Sequence, residues 1–257
     1  MITLRDIHVA FTVGDGARMT ALAGIDLTIG EGEFVTLIGT NGAGKSTLLN
    51  VLAGTVEPTR GQLAVDGVDV TRTRDFERAA WLSRVFPDPR LGTCDQLTIE
   101  ENLALALTKG RRRGMGRPVS SADRAMLVRR LADLGLGLET RLSTPARLLS
   151  SGQRQSLTVL MATLSQPRLL LLDEHVANLD PRTQANILAV TDTTIRREAL
   201  AAIMVTHDVR HALDFGDRLI ALKGGRIVLD VCGDAKSSLT MPDIDAVYGE
   251  ERMVAVA

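Results

Sequence analysis

Gly39, Gly44, Lys45 and Ser46 stand in the spacing Gly-x4-Gly-Lys-Ser, which forms a phosphate-binding loop when it follows a strand and opens a helix. That context is present. "EFVTLIG" is a short, continuously apolar strand pattern ending at Gly39, and "KSTLLNVLAG" reads as a helix closed by Gly54 with Pro58 beyond it. The glycines let the backbone of Thr40, Asn41, Gly42 and Ala43 curl, so that successive N–H groups face phosphate oxygens. The helix N-terminus adds about half a positive charge there. Lys45 then reaches the β- and γ-phosphates and the Ser46 hydroxyl joins Mg²⁺, with Thr47 next in the same turn.

A second group of residues suits the other half of phosphoryl transfer. "RLLLLDEH" is a buried apolar strand pattern ending in Asp173 and Glu174. Carboxylates at the carboxyl end of a buried strand are costly unless they bind something. Asp173 suits a place near Mg²⁺, and Glu174 suits polarising a water for attack on the γ-phosphate. "IMVTHD" ends a later apolar strand at His207, on the same predicted sheet edge, where an imidazole can touch the γ-phosphate. "LLSSGQRQS" places small polar residues and a glycine just ahead of a helical pattern, a further backbone anion cradle.

The elements that carry these residues alternate between strand and helix. The first third is β-rich, with "ITLRDIHVAF", "IDLTIGEGEFVTLIG" and "GQLAVDGVDV". From Thr98 to Ser150 the pattern turns helical. "TIEENLALALTKG" starts with a Thr98–Glu101 capping box, and "SADRAMLVRRLADLGLGLETRL" reads as an amphipathic helix. The basic run at 109–118 reads as a solvated loop. After it come a helix over 151–165, the strand at 168–173, helices from Pro181 and Asp208, and a hairpin "DRLIALKGGRIVLD". This rhythm predicts an α/β fold with a parallel sheet covered on both faces.

Bulk properties narrow the class. The 257 residues carry 30 Lys+Arg against 31 Asp+Glu, so no global basic field points to nucleic acid. Cys94 and Cys232 fit no metal or redox spacing, which suits a reduced cytosolic interior. No stretch approaches the roughly 18 uninterrupted apolar residues of a membrane span, and "MITLRDIHVA" lacks the apolar core of a secretory signal.

The ordered set of P-loop, "LSSGQ", "LLLLDE", "ANLD" and "TH" resembles the nucleotide-binding subunit of ATP-binding cassette (ABC) transporters. The likeness runs along essentially the whole chain. Within the family the chain looks like the ATPases of bacterial importers, and "VFPDPRLGTCDQLTIEENLALAL" is similar to a branch paired with branched-chain-amino-acid-type permeases. The resemblance implies a P-loop NTPase with a RecA-like parallel sheet core, an N-terminal antiparallel β subdomain and an inserted helical subdomain. Residues 1–97 and 151–230 would form the core with its β subdomain, 98–150 the helical signature subdomain, and 231–257 a short tail.

It also implies a head-to-tail homodimer holding two ATP. Ser150, Ser151, Gly152 and Gln153 of one subunit would face the nucleotide held by Lys45 of the other. Asp180, in "ANLD", would lie at that interface, and Phe11 would stack on adenine. Integral membrane permease subunits, a periplasmic or extracellular substrate-binding protein and a peripheral place on the cytoplasmic face of the inner membrane complete the implied assembly, with no nucleic acid.

Two positions depart from the family pattern. Ser151 stands where the first signature glycine is usual, which costs on the order of 1–2 kcal/mol if the backbone is left-handed and is tolerable if it is helical. Pro87 stands where a glutamine is usual, with neither an amide side chain nor a backbone N–H. Asp88, next to it, could replace part of the lost Mg²⁺ contact. Slow hydrolysis, or a nucleotide switch with little turnover, is thus one alternative. A non-transport ABC ATPase of DNA repair or translation is another, set against the absence of a long coiled-coil insertion or a second cassette.

Overall fold

A computed structural model describes residues 1–14, 16–109 and 120–249. Of the basic run, only Lys109 lies among the described residues; 110–118 fall outside them. The chain opens with β1 (Ile2–Val13), β2 (Ala17–Ile29), β3 (Phe34–Gly39), α1 (Lys45–Ala53), β4 (Arg60–Val65), β5 (Val68–Asp69) and α2 (Asp75–Arg78). There follow β6 (Leu82–Val85), α3 (Ile99–Leu107), α4 (Ser121–Ala132), α5 (Ser151–Leu164), β7 (Leu169–Asp173) and α6 (Pro181–Arg197). It closes with β8 (Ala201–Val205), α7 (Val209–Asp214), β9 (Arg218–Lys223), β10 (Arg226–Cys232), α8 (Gly233–Ser237) and α9 (Met241–Tyr248). Two compact units result, one of residues 1–78 with 199–257 and the other of 79–198.

In the first unit, β2, β1, β4 and β5 form an antiparallel sheet in that order, while β3 pairs in parallel with β8 on one side and β9 on the other. All six residues of β3 are buried, as a strand covered on both faces requires. Thr36 is the polar member, and its hydroxyl donates to the Ala212 and Arg218 carbonyls. Ile38, Val209, Ala212, Leu219 and Ala221 share one apolar cluster with Ile244 and Tyr248, so α9 packs into this core.

One buried cation organises α1. Arg78 is 1 % exposed, and its guanidinium donates to the carbonyls of Val51 and Leu52 at the end of α1 and of Val70, Thr71 and Thr73. A positive charge on the last carbonyls of a helix complements both their unmet acceptors and the helix dipole. Burial pulls the Arg78 pKa down from its ordinary value. Gly54 ends the same helix in the left-handed region at φ 81°, as the sequence pattern predicted, and a Cβ there would lie 2.8 Å from Arg78 Nε.

In the second unit, β6 and β7 pair in parallel. Its apolar cluster joins Ile99 and Leu103 of α3, Leu127 and Leu131 of α4, and Leu157 and Leu160 of α5. Each such side chain contributes roughly 1.5–3 kcal/mol on burial. Thr98 and Glu101 form the predicted capping box. The long helix expected over "SADRAMLVRRLADLGLGLETRL" is shorter than expected. It stops at Ala132, because Gly135 and Gly137 take φ of 66° and 69°, and a single 3₁₀ turn, Leu138–Thr140, follows. Among the described residues no helix is long and apolar enough to cross a membrane.

Candidate active site

The P-loop is built at the carboxyl end of β3. A Cβ on Gly39 would meet the Leu222 carbonyl at 2.8 Å, and one on Gly44 would meet the Ala21 carbonyl at 2.6 Å. Gly44 also has φ 106°, so both positions demand glycine. Gly42, at φ 79°, has open space on its side-chain face, the side from which a phosphate can approach the backbone. Lys45 is buried, and its ammonium donates to the Gly39 carbonyl at 2.6 Å and the Thr40 carbonyl at 3.1 Å. Ser46 is exposed at the start of α1, with Asn41 also exposed and Thr40 and Thr47 half-buried.

The loop has a brace that sequence reading missed. Gly225 N–H donates to the Ala43 carbonyl at 3.0 Å, and the Gly225 carbonyl accepts the Ala23 N–H at 2.9 Å. The "KGGR" pair signalled only a hairpin turn. Its close approach to the P-loop follows from the pairing of β9 with β3.

His207 leaves from the same sheet edge. Leu37 of β3 lies opposite Val205 of β8, and Thr206 N–H donates to the Leu37 carbonyl. The chain therefore runs into the P-loop and into His207 from two adjacent parallel strands, the edge at which such sheets bind ligands. Phe11 is 38 % exposed and sits opposite Met19 across the β1–β2 pair. It is not core, which leaves its ring face open to contact.

In the second unit, Val85 lies opposite Leu172, so Phe86–Pro87 and Asp173–Glu174 leave from one edge of the β6–β7 pair. Asp173 is buried, and its carboxylate accepts a 2.6 Å hydrogen bond from Arg84 Nη2. Glu174 turns the chain at φ 45°, a left-handed conformation costly for a side chain bearing a Cβ and common at functional positions. Asp180 caps α6, and the Thr183 hydroxyl and backbone N–H hold its carboxyl below the usual range.

Ser150 and Gln153 cap α5 reciprocally, and Ser151 is the first helical residue. Its φ is not positive, so the strained alternative for Ser151 does not arise. Gly152 faces α6 closely, since a Cβ there would meet Thr183 Cγ2 at 2.5 Å. Pro87 lines a cavity of ≈ 370 Å³ with Asp88, Ser151, Gln155 and His175 among its walls. Asp88 carries its own ion pair. Its two oxygens are taken by the Arg90 guanidinium and N–H, and that guanidinium holds the Asp88 carboxyl below the usual range.

The residues present fit a nucleoside triphosphate with a divalent cation. Within the first unit, curled backbone and Lys45 form the phosphate cradle, and the exposed Ser46 offers one hydroxyl oxygen to a cation that takes most of its ligands from phosphates and water. Among the described residues no group of three or more His, Cys, Asp or Glu forms an all-protein metal cage.

Comparison with known proteins gives the class. The family model described as "ABC transporter" matches residues 22–177, and the chain belongs to that family. It is an ATP-binding cassette ATPase of an ABC transporter. The "Tyrosine transport ATP-binding protein" of Clostridioides difficile (strain R20291) is 40% identical over 244 residues, 95% of this chain and 97% of that protein. An aliphatic sulfonates import ATP-binding protein of Rhizobium johnstonii is 37% identical over 210 residues, 82% of this chain and 70% of that protein. A dimeric ATP-binding cassette solved in a post-hydrolysis state with ADP and Pi is 28% identical, with a TM-score of 0.76, covering 90% of this chain and 98% of that one. The narrower likeness to branched-chain-amino-acid-type systems is not carried by these relatives.

Proposed function

We propose that the chain energises import of a small organic solute, of the amino-acid class, through a separate membrane permease fed by a substrate-binding protein. The tyrosine-transport relative supports the solute class, because its likeness runs over nearly the full length of both chains. The chain would sit as a peripheral subunit on the cytoplasmic face of the membrane. Two copies would close head to tail on two ATP, and the dimeric cassette structure supports that arrangement.

The observation that carries the catalytic reading is the P-loop, with Lys45 held by its carbonyls and His207 leaving the adjacent strand. Residues 39–47 bind the phosphates, and Lys45 neutralises charge that develops as the γ-phosphoryl group is transferred. Glu174 orients a water and takes its proton as the oxygen bonds to the γ-phosphorus and the bond to the ADP oxygen breaks. His207 contacts the γ-phosphate, and Phe11 offers its exposed ring to adenine. Ser46 and Asp173 would hold Mg²⁺, which would supply charge neutralisation to the phosphates. From the second copy, Ser150, Gly152 and Gln153 close the site, with Asp180 beside them. Steady-state ATP hydrolysis tests this: Lys45→Ala should lose ATP binding, while Glu174→Gln should bind ATP yet turn over about 10²–10³-fold more slowly. Equal rates for the wild type and Glu174→Gln would remove Glu174 from the role.

Slow turnover within the same activity is the second reading. It is favoured by Pro87, which offers neither a side-chain amide nor a backbone N–H.

A further inference from the structure

Arg84 and Asp173 form a largely buried ion pair at the end of β7, with side chains 15% and 11% exposed and a 2.6 Å separation. Strand register builds it. Arg84 of β6 is opposite Leu171, two residues before the carboxylate that ends β7. The guanidinium has a second seat as well, since its Cζ lies 5.0 Å from the centroid of the Phe86 ring. The main chain beside that ring is tied down, since the Phe86 carbonyl accepts a hydrogen bond from the buried Gln155 amide.

We propose that Arg84 is a positioning residue that competes with the divalent cation for Asp173. A carboxylate shared with a guanidinium is a poorer ligand for a hard dication than a free one, since two cations repel across a short, partly desolvated distance. When the cation arrives with nucleotide, Arg84 yields Asp173 and keeps the Phe86 face by cation–π attraction. Without them, Arg84 supplies the counter-charge that a buried carboxylate needs. Arg84 thus sets the cation concentration at which the site loads and stabilises the unloaded chain.

This inference rests on the reading of Asp173 as a cation ligand, and the test separates the two. The quantity to measure is the dissociation constant of a non-hydrolysable ATP analogue in EDTA divided by that in excess Mg²⁺, for the full chain. Arg84→Met should raise this ratio on the order of tenfold, by removing a positive charge within hydrogen-bond distance of the ligand. It should also lower the melting temperature in EDTA more than in Mg²⁺ with the analogue. Arg84→Lys, which keeps the charge, should stay near the wild-type ratio. Asp173→Asn should lower the ratio. An unchanged or lowered ratio in Arg84→Met, with Asp173→Asn still lowering it, overturns the competition and leaves the Asp173 reading standing. A ratio unmoved by Asp173→Asn overturns both.

Discussion

Ser150 Oγ accepts the Gln153 N–H at 3.2 Å, and Gln153 Oε1 accepts the Ser150 N–H at 3.2 Å. The two side chains proposed to face a second subunit's nucleotide also lock the start of their own helix. Ser150→Ala should therefore cost about 1 kcal/mol of stability, as the loss of an N-cap does. Ser151→Gly should change stability by no more than about 1 kcal/mol, since the helical backbone there stores no left-handed strain to relieve. Urea unfolding of the two variants checks both. A gain of 2 kcal/mol in Ser151→Gly would contradict the helical placement.

Gly152 and Thr183 set how closely α5 and α6 approach. With Thr183 Cγ2 at 2.5 Å from a Cβ on residue 152, Gly152→Ala should cost roughly 1–3 kcal/mol by overpacking. Adding Thr183→Ser removes the clashing methyl group and should recover most of the loss. A double-mutant cycle with no coupling would rule out the contact as the cause.

Arg78 predicts the largest structural effect. Replacing it with Met leaves five buried or half-buried carbonyls short of a donor, including two at the end of α1. The expected loss is about 3 kcal/mol or more, from hydrogen bonds to a charged group that nothing replaces. Thermal unfolding with and without ATP measures it, and the P-loop helix should lose nucleotide affinity along with stability.

Pro87→Gln should raise the steady-state hydrolysis rate. The new side chain enters a cavity of ≈ 370 Å³ with room for it, and restores an amide near the strand ends that carry Asp173 and Glu174. The expected gain is about tenfold or less, at the lower end of what a preorganised polar group contributes. An unchanged rate would show that Pro87 does not limit turnover.

Local signals carried much of what the sequence revealed. The P-loop glycines, the Gly54 stop and the Thr98–Glu101 box depend on residues within a few positions of each other. Relationships made by strand pairing left no such trace. Arg84 meets Asp173 only because β6 and β7 align, and Gly225 meets Ala43 only because β9 lies beside β3. Arg78 was equally hidden, since its partners are main-chain carbonyls that carry no residue signature. The Arg90–Asp88 pair is local too, since the two residues stand two positions apart.

The central claim is that "LLSSGQ" of one copy completes the ATP site of another. The most direct measurement is the solution mass of Glu174→Gln with and without ATP, by light scattering in line with gel filtration. The chain alone is 27.6 kDa. A doubling of the mass with ATP and Mg²⁺, lost again when Ser150→Ala is added, is the predicted result. A mass that stays at one chain when ATP is bound would contradict it.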